Sequence, residues 1–209
     1  LLRSDFHPYH VSARANNREQ FPLSDSEMWE IFSFVCLSIS WRFGAEIHAF
    51  VLMPNHFHML ITIPEHDLGV VMHTFMRNVA VATNRKARKS GHIFGGPYHW
   101  TLVNSSNYFY HVLKYVYRNP IKGGLCKSAE RYPYSSLAGL VGQTKLPFPI
   151  HYTRAGMEHR LPSLDPIQWI DWINKPFYSD SEASIKLGLR RKIFQTPADR
   201  VANAELGLP

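Results

Sequence analysis

An α+β fold is predicted from three features of this chain: the order in which strand-like and helix-like segments alternate, the turn and cap signals between them, and enough apolar side chains to bury a core. Residues 7–14 read as a first strand, and Asn16-Asn17-Arg18-Glu19 as a turn after it. Ser24 with Glu27 three positions later is a capping box, opening a helix whose Met28, Ile31, Phe32, Val35 and Ile39 share one face. Gly44 is placed to end that helix as a left-handed cap. Two β-rich runs follow, 46–53 and 56–63, joined as a hairpin through Pro54-Asn55. A long helix is predicted over 67–89, with Leu68, Val71, Met72, Phe75, Val79 and Ala82 at helical spacing and Gly91 as its stop. A fourth strand spans 97–103 and a third helix 105–118, stopped by Asn119-Pro120.

The first six elements, β-α-β-β-α-β, have the ferredoxin-like order, an antiparallel sheet with helices on one face. Residues 1–140 are accordingly taken as one domain and 141–209 as a helical C-terminal extension packed on it. Prolines 147, 149, 162, 166 and 176 break up the extension and leave room for short helices near 166–174 and 181–193.

Composition narrows the class. Hydrophobic residues make up 45% of the chain, so disorder is not the default. No apolar run approaches the ~20 residues needed to cross a bilayer, and the opening residues lack the apolar core of a secretory signal. Only Cys36 and Cys126 are present, and neither belongs to a Cys-x-x-Cys pair, which suits a reduced, cytoplasmic setting. The net charge of +7 favours a polyanionic partner.

Two segments carry chemistry. In His56-Phe57-His58 the alternation of a strand puts both imidazoles on one side, while Phe57, Met59 and Ile61 face the helix-covered core. Two adjacent imidazoles on an open sheet face suit a divalent ion, although surface histidines on a half-exposed strand give the same pattern. In the helix that follows, Phe109, Val112, Leu113 and Val116 form the buried stripe. At roughly 100° per residue, His111, Tyr115 and Asn119 line one flank of it, and Tyr117 falls on the other. A tyrosine hydroxyl, weak as a nucleophile at its usual pKa of about 10, becomes useful beside a metal that polarises the phosphate it attacks. Asn119 could give that ion a third oxygen ligand. Ordinary packing of Tyr115 is the competing account.

Arg77, Arg85, Lys86, Arg88 and Lys89 put positive charge and no acid along the second helix and its end, a candidate phosphate-binding strip that could equally be a solvated face. Arg14 and Arg18 could contact DNA from the first strand. Arg190, Arg191 and Lys192 could do the same from the extension. Trp100, Tyr98 and Tyr108 could stack on bases, but core packing suits each of them better.

The stretch Ala49 to Ile61, containing Pro54-Asn55-His56-Phe57-His58, resembles the histidine–hydrophobe–histidine motif of the Y1 single-tyrosine transposases. The stretch Tyr115-Val116-Tyr117-Arg118-Asn119-Pro120 resembles their tyrosine motif, in the variant of the REP-associated tyrosine transposases, relatives of the IS200-type enzymes. Pro8 to Arg14 with Asn16-Asn17-Arg18, Gly91 to Phe94, and Tyr132 to Ser136 resemble further family segments, so the likeness spans about residues 7–140. One departure is that Gly96-Pro97-Tyr98-His99 stands where relatives often carry a Gly-Arg pair.

The resemblance implies a ferredoxin-like fold and cleavage of single-stranded DNA beside an imperfect hairpin. It makes Tyr115 the nucleophile of a 5′-phosphotyrosine link whose reversal by a 3′-hydroxyl transfers the strand. Mg²⁺ or Mn²⁺ would be held by His56 and His58 with Asn119 third, and no organic cofactor is implied. A monomer is favoured slightly over a homodimer, acting in the cytoplasm and on the nucleoid. A hairpin-DNA binder that no longer cuts, and a metal-dependent hydrolase that uses water, are the alternatives.

Overall fold

Tyr9, Val11 and Ala13 are apolar at every second position, and in β1 (Tyr9–Arg14) all three enter the core. The structure, a computed structural model, describes residues 3–151, 166–177 and 179–196. The remaining strands are β2 (Glu46–Met53), β3 (His56–Thr62) and β4 (His99–Leu102), in the sheet order β2-β3-β1-β4 with every neighbouring pair antiparallel. That is the predicted ferredoxin-like arrangement, with the hairpin turn at Pro54-Asn55.

Helix α1 (Asp25–Phe43) starts at the predicted capping box: the Ser24 hydroxyl accepts the Glu27 N–H at 3.4 Å, and the Glu27 carboxylate accepts the Ser24 N–H at 3.1 Å. It ends at Gly44 with φ +59°, a left-handed conformation that glycine adopts without steric cost. Helix α2 (Leu68–Ala87) is capped by the Asp67 carboxylate, which accepts the Gly69 N–H at 2.6 Å. Its end differs from the prediction. Arg88, not Gly91, takes the left-handed position, and the Arg88 and Lys89 N–H groups turn back onto the carbonyls of Arg85 and Asn84.

Helix α3 (Ser106–Lys122) runs past the predicted stop at Asn119-Pro120. Pro120 cannot donate to the Val116 carbonyl, and the Asn119 side-chain amide covers the gap. Its Nδ2 donates to Tyr115 O at 2.8 Å and to Val116 O at 3.4 Å, so the chain carries a proline inside a helix without leaving those acceptors bare.

Helices α1 and α2 cover one face of the sheet, as predicted, and build the larger core with Val11, Phe50, Phe57, Met59 and Ile61. The opposite face is not open. Ala49, Val51, Met53 and Leu60 point to it from the sheet and meet Phe109, Val112, Leu113 and Val116 of α3, with Leu137 of α4 (Ser136–Leu140), Ile173 of α5 (Pro166–Asn174) and Ile185 of α6 (Ser179–Gly188). The apolar positions of β2 and β3 on this side require such a cover, because sheet strands apolar on both faces are buried on both.

The predicted helix 181–193 is shorter than expected. Gly188 lies against the Phe194 ring, where a Cβ would meet Phe194 Cε2 at 2.8 Å, and the chain turns back there. Residues 192–194 then run along β4: Leu102 N–H donates to Lys192 O and Phe194 N–H to Leu102 O, both at 2.9 Å. On the other edge of the sheet Leu52 N–H donates to Tyr134 O at 2.9 Å. Both edges are therefore covered, which removes the exposed strand borders that invite aggregation. Among the described residues no helix is long and apolar enough to cross a membrane.

Phe32 is fully buried and touches the rings of Phe21, Phe50, Phe57, Phe75 and Phe94. Phe32→Ala is expected to cost about 3–5 kcal/mol, read as a lower urea midpoint with an unchanged denaturant slope. A loss below about 1 kcal/mol would mean that this ring cluster does not hold the α1 face together.

Candidate active site

The pairing of β1 with β3 decides which side chains meet. Arg14 lies opposite His56 and Ser12 opposite His58, while on the other side of β1 Ser12 lies opposite His99 and His10 opposite Thr101. Directly opposed residues share a face, so His10, Ser12, Arg14, His56, His58 and His99 all emerge on the α3 side. A cleft of about 640 Å³ opens there, lined by Ser12, Arg14, Arg18, His56, His58 and His99 together with Asn16, Asn17, Gly95, Gly96 and Pro97. Asn17 and Arg18 both hold positive φ, 54° and 62°. Non-glycine residues are uncommon in this region, and such strained positions cluster at functional sites.

The two histidines of the motif stand edge-to-face, ring centroids 5.0 Å apart. His56 Nδ1 lies 2.6 Å from Asn55 Oδ1. Asn55 Nδ2 donates to Arg18 O at 3.2 Å, which fixes the other end of that amide as the acceptor. His56 therefore carries its proton on Nδ1 and keeps a lone pair on Nε2. His58 Nδ1 is 2.9 Å from His10 Nε2, with the ring centroids 5.1 Å apart and 26° between the planes, an edge-to-edge pair. On His58, too, Nε2 is the nitrogen left outside that bond. Asn119 spends Nδ2 on backbone carbonyls and keeps Oδ1 as its acceptor end. Two imidazole nitrogens suit a divalent cation, an amide oxygen is of the same ligand class, and the hydrogen bonds behind the rings are of the kind that orient metal-binding histidines. No cluster of three or more His, Cys, Asp or Glu side chains arranged for a metal occurs among the described residues, so a cation here would depend on the two histidines and the amide.

Tyr115 enters from α3. Its ring is edge-on to His58 at 5.8 Å and to His10 at 6.2 Å. Tyr117, two residues on, is turned away: it is 1% exposed, its hydroxyl 3.1 Å from Ser136 Oγ, and it packs against Trp169. The helix-flank reading of the sequence thus separates the two tyrosines correctly.

Electrostatics follow burial. His10 is pushed down to about 3, and His56 to about 4 by burial and by the nearby Arg14 guanidinium. Burial, then His10, His56 and Arg14, hold His58 well below the usual imidazole range. Both motif rings are therefore neutral at pH 7, the state in which histidine accepts a metal. Burial raises the Tyr115 pKa, Lys122, Arg14 and Arg190 pull against it, and Glu182 adds to the rise.

The basic residues separate by position. Arg14 and Arg18 line the cleft with the histidines. Arg77 lines an adjoining, largely apolar groove with Phe94 and Tyr98, and Lys89 a third depression beyond it. Arg85 and Arg88 are exposed at the end of α2. Lys86 points back to α1 and pairs with Glu30 at 3.2 Å and Glu27 at 3.5 Å. The strip on α2 is free of acids along its own helix, but α1 supplies two, so Lys86 is not a free phosphate contact. His111 is exposed on α3, and the suggested base-stacking aromatics pack internally, Tyr108 on Phe194 and Trp100 on Tyr9.

His10 and Asn55 are the site residues missed in the sequence. Both carried a signal. His10 alternates with Ser12 and Arg14 on the strand that pairs with the histidine strand, and Asn55 sits next to His56 in the turn.

The family model described as "Transposase IS200 like" matches residues 5–119, more than half of the chain. The structure of the REP-associated tyrosine transposase bound to a REP hairpin aligns with a TM-score of 0.54 and 19% identity, over 72% of this chain and 90% of that one. A structure from Deinococcus radiodurans R1, assigned to the transposases, aligns over 52% of this chain and 87% of that one, at 18% identity and a TM-score of 0.39. No curated protein matches.

Acid should unfold the metal-free protein early. The lowered histidine pKa values mean that the unfolded chain, with imidazoles near 6.5, binds more protons than the folded one between about pH 6.5 and pH 3, so stability falls as pH falls through that window. Each such histidine contributes about 1.4 kcal/mol per pH unit once well inside it. Urea midpoints measured in EDTA from pH 7 to pH 5 should drop steadily, and less steeply in His10→Gln. A flat profile would contradict the buried, neutral state of these rings.

Proposed function

The chain belongs to the IS200-like family of transposases, and from that premise we propose that it cuts single-stranded DNA beside a hairpin and rejoins the strand, with Tyr115 as nucleophile. The observation that carries this reading is the placement of the Tyr115 ring against His58, which lines the cleft together with His56 and Arg14, while Tyr117 is sealed in the second core. The Tyr115 oxygen attacks the scissile phosphorus, the bond to the 3′-oxygen breaks, and that oxygen leaves as a 3′-hydroxyl. The phenol proton is lost to solvent or a base as the 5′-phosphotyrosine forms. Attack by a 3′-hydroxyl on that link reverses the step and transfers the strand without an external energy source.

His56 and His58 would hold Mg²⁺ or Mn²⁺, with Asn119 Oδ1 as third donor. A bound divalent ion would polarise the phosphate and stabilise the departing oxygen. Arg14 and Arg18, at the mouth of the cleft, bind the flanking phosphates, while Arg77, Arg85, Arg88 and Lys89 extend a positive surface for the hairpin stem. The solved REP-associated transposase is described as bound to a REP hairpin, which supports hairpin DNA as partner. We place Tyr115 in cis, in a monomer. Arg118 on its helix donates to the carbonyls of Ile173 and Asn174, and Lys114 lies over the rings of Trp172 and Phe177 at 4.8 and 4.9 Å, ties that an exchange of α3 between subunits would have to break.

Mixed with labelled single-stranded hairpin DNA, the protein should give a denaturant-resistant adduct in Mg²⁺ or Mn²⁺ but not in EDTA. Tyr115→Phe should abolish it and Tyr117→Phe should retain it. Binding without cleavage in any metal would favour a domesticated binder, and cleavage without adduct a water-using hydrolase. Separately, Arg14→Ala should weaken hairpin binding about equally across sequences and lower the slope of log affinity against log salt by about 0.7, measured by fluorescence anisotropy. An unchanged slope would remove Arg14 from the phosphate contacts.

A further inference from the structure

His10 lies outside the cleft. The cleft is lined by His56 and His58 but not by His10, which is 4% exposed and sits behind His58 with its Nε2 2.9 Å from His58 Nδ1. Two buried neutral imidazoles joined in this way share one proton in the bond, and the side on which it lies sets the chemistry of the far edge of His58. With the proton on His10 Nε2, His58 must carry its own on Nε2 and presents an N–H to the cleft. With the proton on His58 Nδ1, it presents a lone pair.

We infer that His10 is a positioning residue that accepts the Nδ1 proton of His58 and so holds the Nε2 lone pair toward the cleft. The inference rests on the reading of His58 as a cation ligand, and two further observations point the same way. The cleft is lined by Arg14 and Arg18, and a lone pair faces cations at lower energy than an N–H does. His56 is held in the same tautomer by Asn55 Oδ1, so the two rings would present matching Nε2 lone pairs. His58 is 8% exposed, so its Nδ1 depends on His10 rather than bulk water, which makes His10 the group that decides the tautomer. The edge-to-edge geometry, with 26° between the rings, also restrains the plane of the His58 ring.

The test uses the full-length protein and two readouts. Long-range ¹H–¹⁵N spectra of the metal-free wild type report the His58 tautomer directly. Proton on Nδ1 is expected, and proton on Nε2 overturns the proposal whatever the protein binds. Mn²⁺ affinity, followed by EPR of the free ion, is then compared between His10→Leu, which removes the acceptor, and His10→Gln, whose side-chain carbonyl reaches the same position. His10→Leu is expected to bind Mn²⁺ 10–100-fold more weakly than wild type, and His10→Gln to stay within a few-fold. Equal losses in two folded variants overturn the acceptor role, as does wild-type affinity in His10→Leu. If His10→Leu does not fold, the spectra and the Gln variant decide. Wild type that binds no Mn²⁺ while His58 shows the Nδ1 proton would sink the metal reading of the site and leave the positioning role standing.

Discussion

The antiparallel pairing of β1 with β3 is the constraint on which the site depends. Its register sets Arg14 beside His56 and Ser12 beside His58, and a slip of one residue would send all of them into the α1–α2 core and bring Phe57 and Met59 out. That slip is excluded by apolar burial. Val11, Ala13, Phe57, Met59 and Ile61 are all at most 2% exposed, so the hydrophobic face locks the polar one in place. The loop after β1 reinforces the register, because Ala15 N–H donates to Asn55 O and Phe21 N–H to Pro54 O, both at 2.8 Å. The turn that carries Asn55 is thereby fixed from two sides, and with it the acceptor that orients His56.

The second constraint is the position of α3. A helix that sets Tyr115 against the histidines must be rigid relative to them, yet its proline lies inside the last turns. The structure reconciles these demands by burying Val112, Val116 and Tyr117 against β2 and β3 and by turning the Asn119 amide onto the Val116 carbonyl that Pro120 leaves without a donor. A single asparagine thus has two ends with different duties. Its nitrogen repairs the helix, and its oxygen is the end proposed as a ligand.

The sequence shows the fold through short-range physics. Alternation in β1 and β3, the Ser24–Glu27 box and the Gly44 cap are local signals, and each element they mark is present. The misjudged features depend on distant partners. Pro120 looks like a stop until Asn119 is seen to compensate for it, Arg88 looks like a helical residue, and the return of residues 192–194 to β4 has no local signature. The second face of the sheet was hidden for the same reason. Leu60, Val51 and Ala49 are apolar, but the sequence does not say which helix covers them. For the candidate site, the flank argument placed Tyr115 on the histidine side and Tyr117 off it. It could not reach His10, whose importance lies in a partner 48 positions away, nor the acids of α1 that engage Lys86.

The charge around Tyr115 bears on when the tyrosine can react. Burial keeps the phenol protonated, and the cations that would oppose this are partly engaged. Lys122 pairs with Glu182, which also meets Lys186 at 3.5 Å. A carboxylate among these lysines cancels charge that would otherwise favour the phenolate. On the proposed reading the resting tyrosine is therefore held unreactive. On that reading the balance would shift when a substrate phosphate came to lie beside Tyr115, next to Arg14 and the neutral imidazoles. A tyrosine held in this way, if it is the nucleophile proposed, would acquire its charge at the moment of attack rather than beforehand.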